Sequence, residues 1–254
     1  MSAHAVPSFG VVGKRALITG ASRGIGLAAA QALAAFGAHV TLAARPSKDL
    51  DAAAAALIAD GHDAEALELD VTDASRARAL IDVREPFDIL VNNAGINYPV
   101  TFLDVTEDQY DAIMTLNVRA AYFVAQAVAA KLVAAGKPGS IINISSQMGH
   151  VGAAIRTVYC ASKWAIEGLS KAMAVDLAPH GIRVNTIGPT FIETPLASRF
   201  LADESFKRQV LSKIKLGRVG QVGDLTGAIV FLASDASSLM TGSSIVVDGG
   251  WTAD

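Results

Sequence analysis

The chain has 254 residues, a formal net charge of −3, 52% hydrophobic side chains and only 18% charged ones. That balance excludes a disordered chain and gives no general electrostatic attraction to nucleic acid or an anionic membrane, while the length suffices for a sizeable α/β core. A single cysteine, Cys160, excludes an intramolecular disulfide, and the five histidines are scattered without the spacing of a metal site, so no metal is expected.

The opening "MSAHAVPSFGVVGKR" lacks a basic region followed by an apolar run, so no secretory leader is expected and a cytoplasmic location is. "RALITG" (Arg15 to Gly20) predicts a first strand, and the alanine-rich "LAAAQALAAFG" (Leu27 to Gly37) a helix stopped by a C′-type glycine. "HVTLAA" and "DAAAAALIAD" follow as strand and helix, then "AEALELD", a short helix "ASRARALID", and a fourth strand "DILVNN". One long helical pattern covers about Glu107 to Leu132, before the strand "SIINIS" and a helix from about Val158 to Leu177. "IRVNTI" is the sixth strand. An irregular segment, helices near "ESFKRQVLSKI" and "VGDLTGAIVFLAS", and a last strand "SSIVVDGG" complete the chain. This alternation predicts one domain over 1–254, a Rossmann-like doubly wound parallel sheet of seven strands with helices on both faces. Within the long helix, "AAYFVAQAVAA" between Arg119 and Lys131 is too short to span a bilayer and reads as a buried helix or a subunit contact.

Two motifs carry chemistry. "TGASRGIG" (Thr19 to Gly26) sets Gly20, Gly24 and Gly26 between the first strand and first helix, where glycine permits a sharp turn and close approach to a pyrophosphate. Its glycines follow the spacing G-x-x-x-G-x-G, not the G-x-G-x-x-G of the usual dinucleotide fingerprint. "VYCASKWA" places Tyr159 and Lys163 one helical turn apart on one face. An ammonium beside a phenol favours the phenolate, so Lys163 is expected to lower the Tyr159 pKa and fit the tyrosine for proton exchange with an alcohol oxygen. Cys160, between them, reads as a small buried residue.

With these residues in place the chain resembles the short-chain dehydrogenase/reductase family, with its patterns TGxxxGxG and YxxxK, from about Lys14 to Trp251. The resemblance implies a catalytic set of Asn117, Ser146, Tyr159 and Lys163. Ser146 would hold the substrate carbonyl oxygen, Tyr159 would be the acid or base on it, and Asn117 would support a water-linked proton relay with Lys163. It implies a dinucleotide held by the loop residues Gly20, Ser22, Arg23, Gly24, Ile25 and Gly26 and by Asn93, Ala94 and Gly95 of "NNAG". Asp70 and the Val71 backbone would meet the adenine, although Asp70 equally suits a turn or helix cap. Ser145, Lys163, Pro189, Ile192 and Thr194 would line the nicotinamide side. The chain departs from the family at Thr190, where glycine usually follows Pro189, and its third helix is short.

Specificity rests on other residues. A preference for the unphosphorylated cofactor needs a carboxylate at the end of the second strand. That position is Ala44, followed by Arg45, with Arg23, Ser47 and Lys48 available. NADP(H) is therefore expected over NAD(H), which stays possible. The substrate wall is expected to draw on Asn97, Tyr98, Gln147, Met148, His150, Arg156, Phe191, Glu193 and Phe200, within and before a substrate-loop region of about 189–215. That mixture suits a small hydroxylated or acidic ketone of sugar-acid or polyol type. A 3-oxoacyl-[acyl-carrier-protein] reductase is the alternative, and a non-catalytic dinucleotide sensor the alternative of a different class. Arg156 reads as a surface or interface ion pair, or as the ligand of a substrate carboxylate. By resemblance the assembly is a homotetramer.

Overall fold

Residues 7–194, 198 and 202–253 are described by the computed structural model. The first half alternates β1 (Arg15–Thr19), α1 (Gly24–Ala35), β2 (His39–Ala44), α2 (Lys48–Ala59), β3 (Ala64–Glu68), α3 (Ala74–Asp82) and β4 (Ile89–Asn92). The second half runs α4 (Glu107–Met114), α5 (Ala121–Ala134), β5 (Gly139–Ile144), α6 (Thr157–Leu177), β6 (Ile182–Pro189), α7 (Glu204–Lys213), α8 (Gly223–Ala233) and β7 (Ser244–Val247). The strands form one sheet in the order β3-β2-β1-β4-β5-β6-β7, and every pairing is parallel. Strand order reverses between β1 and β4, which opens a crevice at the carboxyl ends of the strands, where open α/β sheets bind ligands.

Side chains alternate across the pleat and divide the core in two. Ala16 and Ile18 face a layer built with Leu33 of α1, Leu57 of α2 and Ile229 of α8. Leu17, between them, faces Ile81 of α3 and Val124, Val128 and Leu132 of α5. Truncating such a fully buried leucine costs about 2–5 kcal/mol. Helix ends follow from local chemistry. The Ser47 hydroxyl accepts from the Leu50 amide to cap α2, and α1 stops at Gly37, whose φ of +96° suits glycine alone.

The long helix departs from its simple periodic reading. Between α4 and α5, Thr115–Ala120 winds as a π-helix, so Glu107–Ala134 is a continuous 28-residue helical run, long and apolar enough by length and composition to cross a membrane. It is instead a core helix: Val124, Val128 and Leu132 are buried among α3 and the sheet. A π-turn rotates the side chains that follow it and recurs at functional sites. Here it carries Asn117.

Candidate active site

A cleft of about 1110 Å³ lies at the strand carboxyl ends, larger than the ~300–1,000 Å³ of a single-ligand pocket. It is long enough to be lined by the glycine loop and by Ser146, Tyr159 and Lys163 together. Gly20 has φ +64°, and a Cβ there would stand 3.0 Å from Asn93 Nδ2 and Ala94 Cα. A Cβ on Gly26 would meet the Gly20 carbonyl oxygen at 2.4 Å, so no side chain fits. Asn93 secures the loop rather than reaching outward: its Nδ2 donates to the Thr19 and Gly20 carbonyls, and the Asn93 and Ala94 amides donate to Thr19 Oγ1. Helix α1 begins at Gly24 with no side-chain cap and no acid in its first turn. Its amide groups and dipole are left for an anion, which is what a pyrophosphate requires. Thr194 closes over this loop, its Cγ2 3.4 Å from the Cβ position of Gly24.

Ser145 and Ser146 directly follow β5, and Tyr159 and Lys163 project from the first turns of α6. Ser146 Oγ donates to Gln147 Oε1 at 2.9 Å and accepts from the Met148 amide at 3.1 Å. Lys163 Nζ donates to the Ile144 carbonyl at 2.8 Å and lies 5.6 Å from the Tyr159 ring centre. The Tyr159 pKa differs from the sequence expectation. Burial raises it, while a hydrogen bond with Ser146 and the charge of Arg156 pull it down. Lys163 Nζ sits over the ring, and burial lowers its own pKa to about 8 against the opposing charge of Glu167. Asn117 is a clamp: its Oδ1 accepts from the Ile96 amide, and its Nδ2 donates to the Ile96 carbonyl and to Ser162 Oγ. It thereby ties the segment after β4 to α6. Cys160 is buried, and burial raises its thiol pKa, as an inert residue requires.

At the other end, Ala44, Arg45, Arg23, Ser47, Asp70 and Val71 line the cleft together. Asp70 plays the turn role: its Oδ1 accepts from the Thr72 amide and hydroxyl, which with nearby Arg45 lowers its pKa. Asp49, in the first turn of α2, also lines this end, an acid the sequence reading did not count.

On the substrate side the cleft is lined by Asn97, Tyr98, Gln147, Met148, Arg156, Phe191, Pro189, Thr190 and Ile192. Two expected wall residues are absent from it. His150 turns to the sheet edge, its Nε2 3.1 Å from Ser244 Oγ and 3.4 Å from Glu167 Oε1, and Glu193 accepts from Gln221. Phe200 lies outside the described residues. Glu167, which the sequence reading missed, had a readable signal: it stands one helical turn beyond Lys163 on the same face. Asn97 Oδ1, Ser145 Oγ, Gln147 Nε2 and Thr190 Oγ1 are buried with no protein hydrogen-bond partner, four of seven such atoms among the described residues. Ser145 Oγ, at the nicotinamide end, is an orphaned atom that a bound cofactor would satisfy.

A family profile described as Enoyl-(Acyl carrier protein) reductase matches residues 20–252. The chain is 40% identical over 243 residues to the L-xylulose reductase of Bos taurus, covering 96% of this chain and 98% of that protein. It is 40% identical over 248 residues to the gluconate 5-dehydrogenase of Gluconobacter oxydans, covering 96% of each. The crystal structure of a gluconate 5-dehydrogenase from Burkholderia cenocepacia, in complex with NADP and tartrate, superposes with a TM-score of 0.95 at 38% identity, over 99% of this chain and 100% of that one.

Proposed function

Because the chain belongs to the short-chain dehydrogenase/reductase family, whose members here are oxidoreductases acting on CH–OH groups, we propose that it is an NADP-preferring reductase of small polyhydroxylated ketones, or the dehydrogenase of the corresponding secondary alcohols. The carrying observation is the set of buried polar atoms without partners around Tyr159: Asn97 Oδ1, Gln147 Nε2 and Thr190 Oγ1. Hydroxyl groups on a substrate would pair them. Similarity to proteins named for xylulose and gluconate supports the same class.

When bound, the cofactor supplies a hydride to the carbonyl carbon. Tyr159, kept protonated by its raised pKa, gives its proton to the carbonyl oxygen. Ser146 turns its hydroxyl from Gln147 to that same oxygen, which frees the Gln147 amide for a substrate hydroxyl. Lys163 holds the nicotinamide ribose and keeps positive charge under the developing phenolate. Asn117 fixes the loop and helix between which the returning proton passes. Arg45 and Arg23 would bind the 2′-phosphate, and crystal structures of similar proteins contain NADP.

Beyond its reacting carbonyl, the acyl part of a 3-oxoacyl thioester offers one acceptor, the thioester carbonyl, and no donor, so Asn97 Oδ1 and one of Gln147 Nε2 and Thr190 Oγ1 would stay unpaired, which penalises it. A non-catalytic sensor is disfavoured by the convergence of Ser146, Tyr159 and Lys163 in one cleft. The test is NADPH consumption with ketoses, keto sugar acids, apolar ketones and an acetoacetyl thioester. Ketoses or keto sugar acids should exceed the thioester in kcat/KM by at least about tenfold, and the reverse order rejects the reading.

Family resemblance further supports a cytoplasmic homotetramer. Tyr122, Trp164 and Val175 on the outer faces of α5 and α6 are 41%, 54% and 75% exposed, apolar surface that a second copy would cover. Sedimentation of a stable monomer at micromolar concentration excludes the tetramer.

A further inference from the structure

Arg156 differs from the arginine expected at this position on a protein surface. It is only 5% exposed, and among the described residues neither a hydrogen bond nor an ion pair reaches its guanidinium. Its Cζ lies 5.4 Å from the Phe191 ring centre and 5.3 Å from that of Phe206. These rings, one after β6 and one on α7, cover the cation with apolar surface and leave its N–H edges as its polar outlet. Arg156 lines the same cleft as Tyr159, from the N-cap position of α6 three residues before it. The backbone is set unusually to put it there. Ile155, just before it, is the one non-glycine residue at positive φ (+56°) among the described residues, a strained conformation for a β-branched side chain.

A buried cation without a counter-ion is unfavourable, and proteins retain one where a ligand supplies the missing charge. Water and neutral hydroxyls would solvate Arg156 in part, but a planar carboxylate matches its fork with two parallel charge-assisted hydrogen bonds. The groups nearest in charge to Arg156 are Tyr159 and Cys160, neither of them ionised at neutral pH, and no described carboxylate pairs with it. Thr190 and Gln147 line the same cleft as the arginine and Ser146, and Thr190 Oγ1 and Gln147 Nε2 are available to hydroxyls on the substrate.

We propose that Arg156 is the anchor for a carboxylate on the substrate, so that the enzyme selects keto sugar acids, and their hydroxy-acid products, over neutral ketoses of the same length. This rests on the reading of the cleft as a reductase site for polyhydroxylated ketones. The carboxylate fixes one end of the molecule at the N–H edge of the guanidinium, and the carbonyl is thereby presented to Tyr159. Arg156 is on this account a specificity-determining residue, and Tyr159 and Ser146 act on the carbonyl itself.

The experiment compares kcat/KM with NADPH for a six-carbon keto aldonate and a six-carbon ketose in the wild type, Arg156→Gln and Arg156→Lys. The wild type should favour the acid, and Arg156→Gln should reduce that preference by roughly 10- to 100-fold. Arg156→Lys, which keeps the charge and loses the fork, should fall between. Tartrate and threitol binding to the wild-type enzyme loaded with NADP⁺, followed by calorimetry, tests the same claim without a variant: tartrate should bind at least about tenfold tighter. Equal losses on acid and ketose in Arg156→Gln, or equal binding of tartrate and threitol, overturn the proposal. Absence of turnover with either sugar in the wild type would instead reject the reductase reading.

Discussion

The nucleotide end and the substrate end of the cleft are built on opposite principles. Around the glycine loop the protein is already complete: Thr19 and Asn93 satisfy the backbone, and the space for the cofactor is shaped by missing side chains at Gly20 and Gly26. Around Gln147, Thr190 and Arg156 it is incomplete, with donors and a cation buried before any ligand arrives. The first arrangement binds a common cofactor by close backbone approach, and its amides suit any pyrophosphate. The second stores unsatisfied polarity, which under the proposed function only a matching substrate would relieve.

Changes at the two ends should therefore fail differently. The largest effect belongs to the proton donor where they meet. Tyr159→Phe should lower kcat by roughly 10²–10⁴-fold and leave NADPH affinity essentially intact, as single-turnover and fluorescence titration would show. An active Tyr159→Phe enzyme would break the assignment. At the nucleotide end, Gly26→Ala forces a Cβ to 2.4 Å from the Gly20 carbonyl. It should destabilise the fold by about 1–3 kcal/mol and abolish tight NADPH binding. Gly227→Ala in α8, where an added Cβ meets nothing within 4 Å, should instead stabilise by about 0.5–1 kcal/mol. Thermal melts with and without NADPH separate the two.

Cofactor choice sharpens the comparison further. Ala44→Asp with Arg45→Ile should reverse the NADPH over NADH ratio of kcat/KM, each arginine contact being worth about 1.5–3 kcal/mol, or one to two orders of magnitude. A wild type that prefers NADH would assign the leading role to Asp49, which lines the same end. At the substrate end, Thr190→Gly restores the family's usual residue and removes one orphaned hydroxyl. It should cost polyhydroxylated ketones about 0.5–1.5 kcal/mol, a few-fold to tenfold in kcat/KM, and spare ketones without further hydroxyls.

A further effect is in stability against pH. Lys163 titrates at about 8 in the folded protein, below its ordinary 10.5. The unfolded chain thus binds the extra proton between those values, and Lys163 contributes a rise in stability as pH increases through that window. Glu167→Gln removes the opposing charge and should move the lower edge of the window to lower pH, read as urea midpoints against pH. An unchanged profile would discount the coupling of Glu167 to Lys163.

What could be read from the sequence follows the same division. Glycine spacing and the Tyr159–Lys163 turn are local, so the chain order alone placed them, as it did the seven strands and the absent acid at Ala44. The π-turn at Thr115–Ala120 was hidden because no glycine or proline interrupts the helical stretch from Glu107 to Leu132. Arg156 could be named as a carboxylate ligand but not seen as buried, because its covering rings come from Phe191 and Phe206 on other segments. His150 was misplaced for the same reason, since its partner Ser244 lies 94 residues away. Charge balance at a distance is not written in local spacing, which is also why burial, and not Lys163, dominates the Tyr159 pKa.

The central claim is hydride transfer to the carbonyl carbon of a polyhydroxylated ketone, and isotope tracing tests it most directly. The enzyme would be given NADPH carrying deuterium at both positions of its transferring carbon, with a keto sugar acid in ordinary water, and the product read by mass spectrometry and NMR. The account predicts one deuterium per product molecule, at the new carbinol carbon and on one face only. Product free of deuterium, or cofactor left unconsumed with every member of the ketose and keto-acid panel, would contradict it.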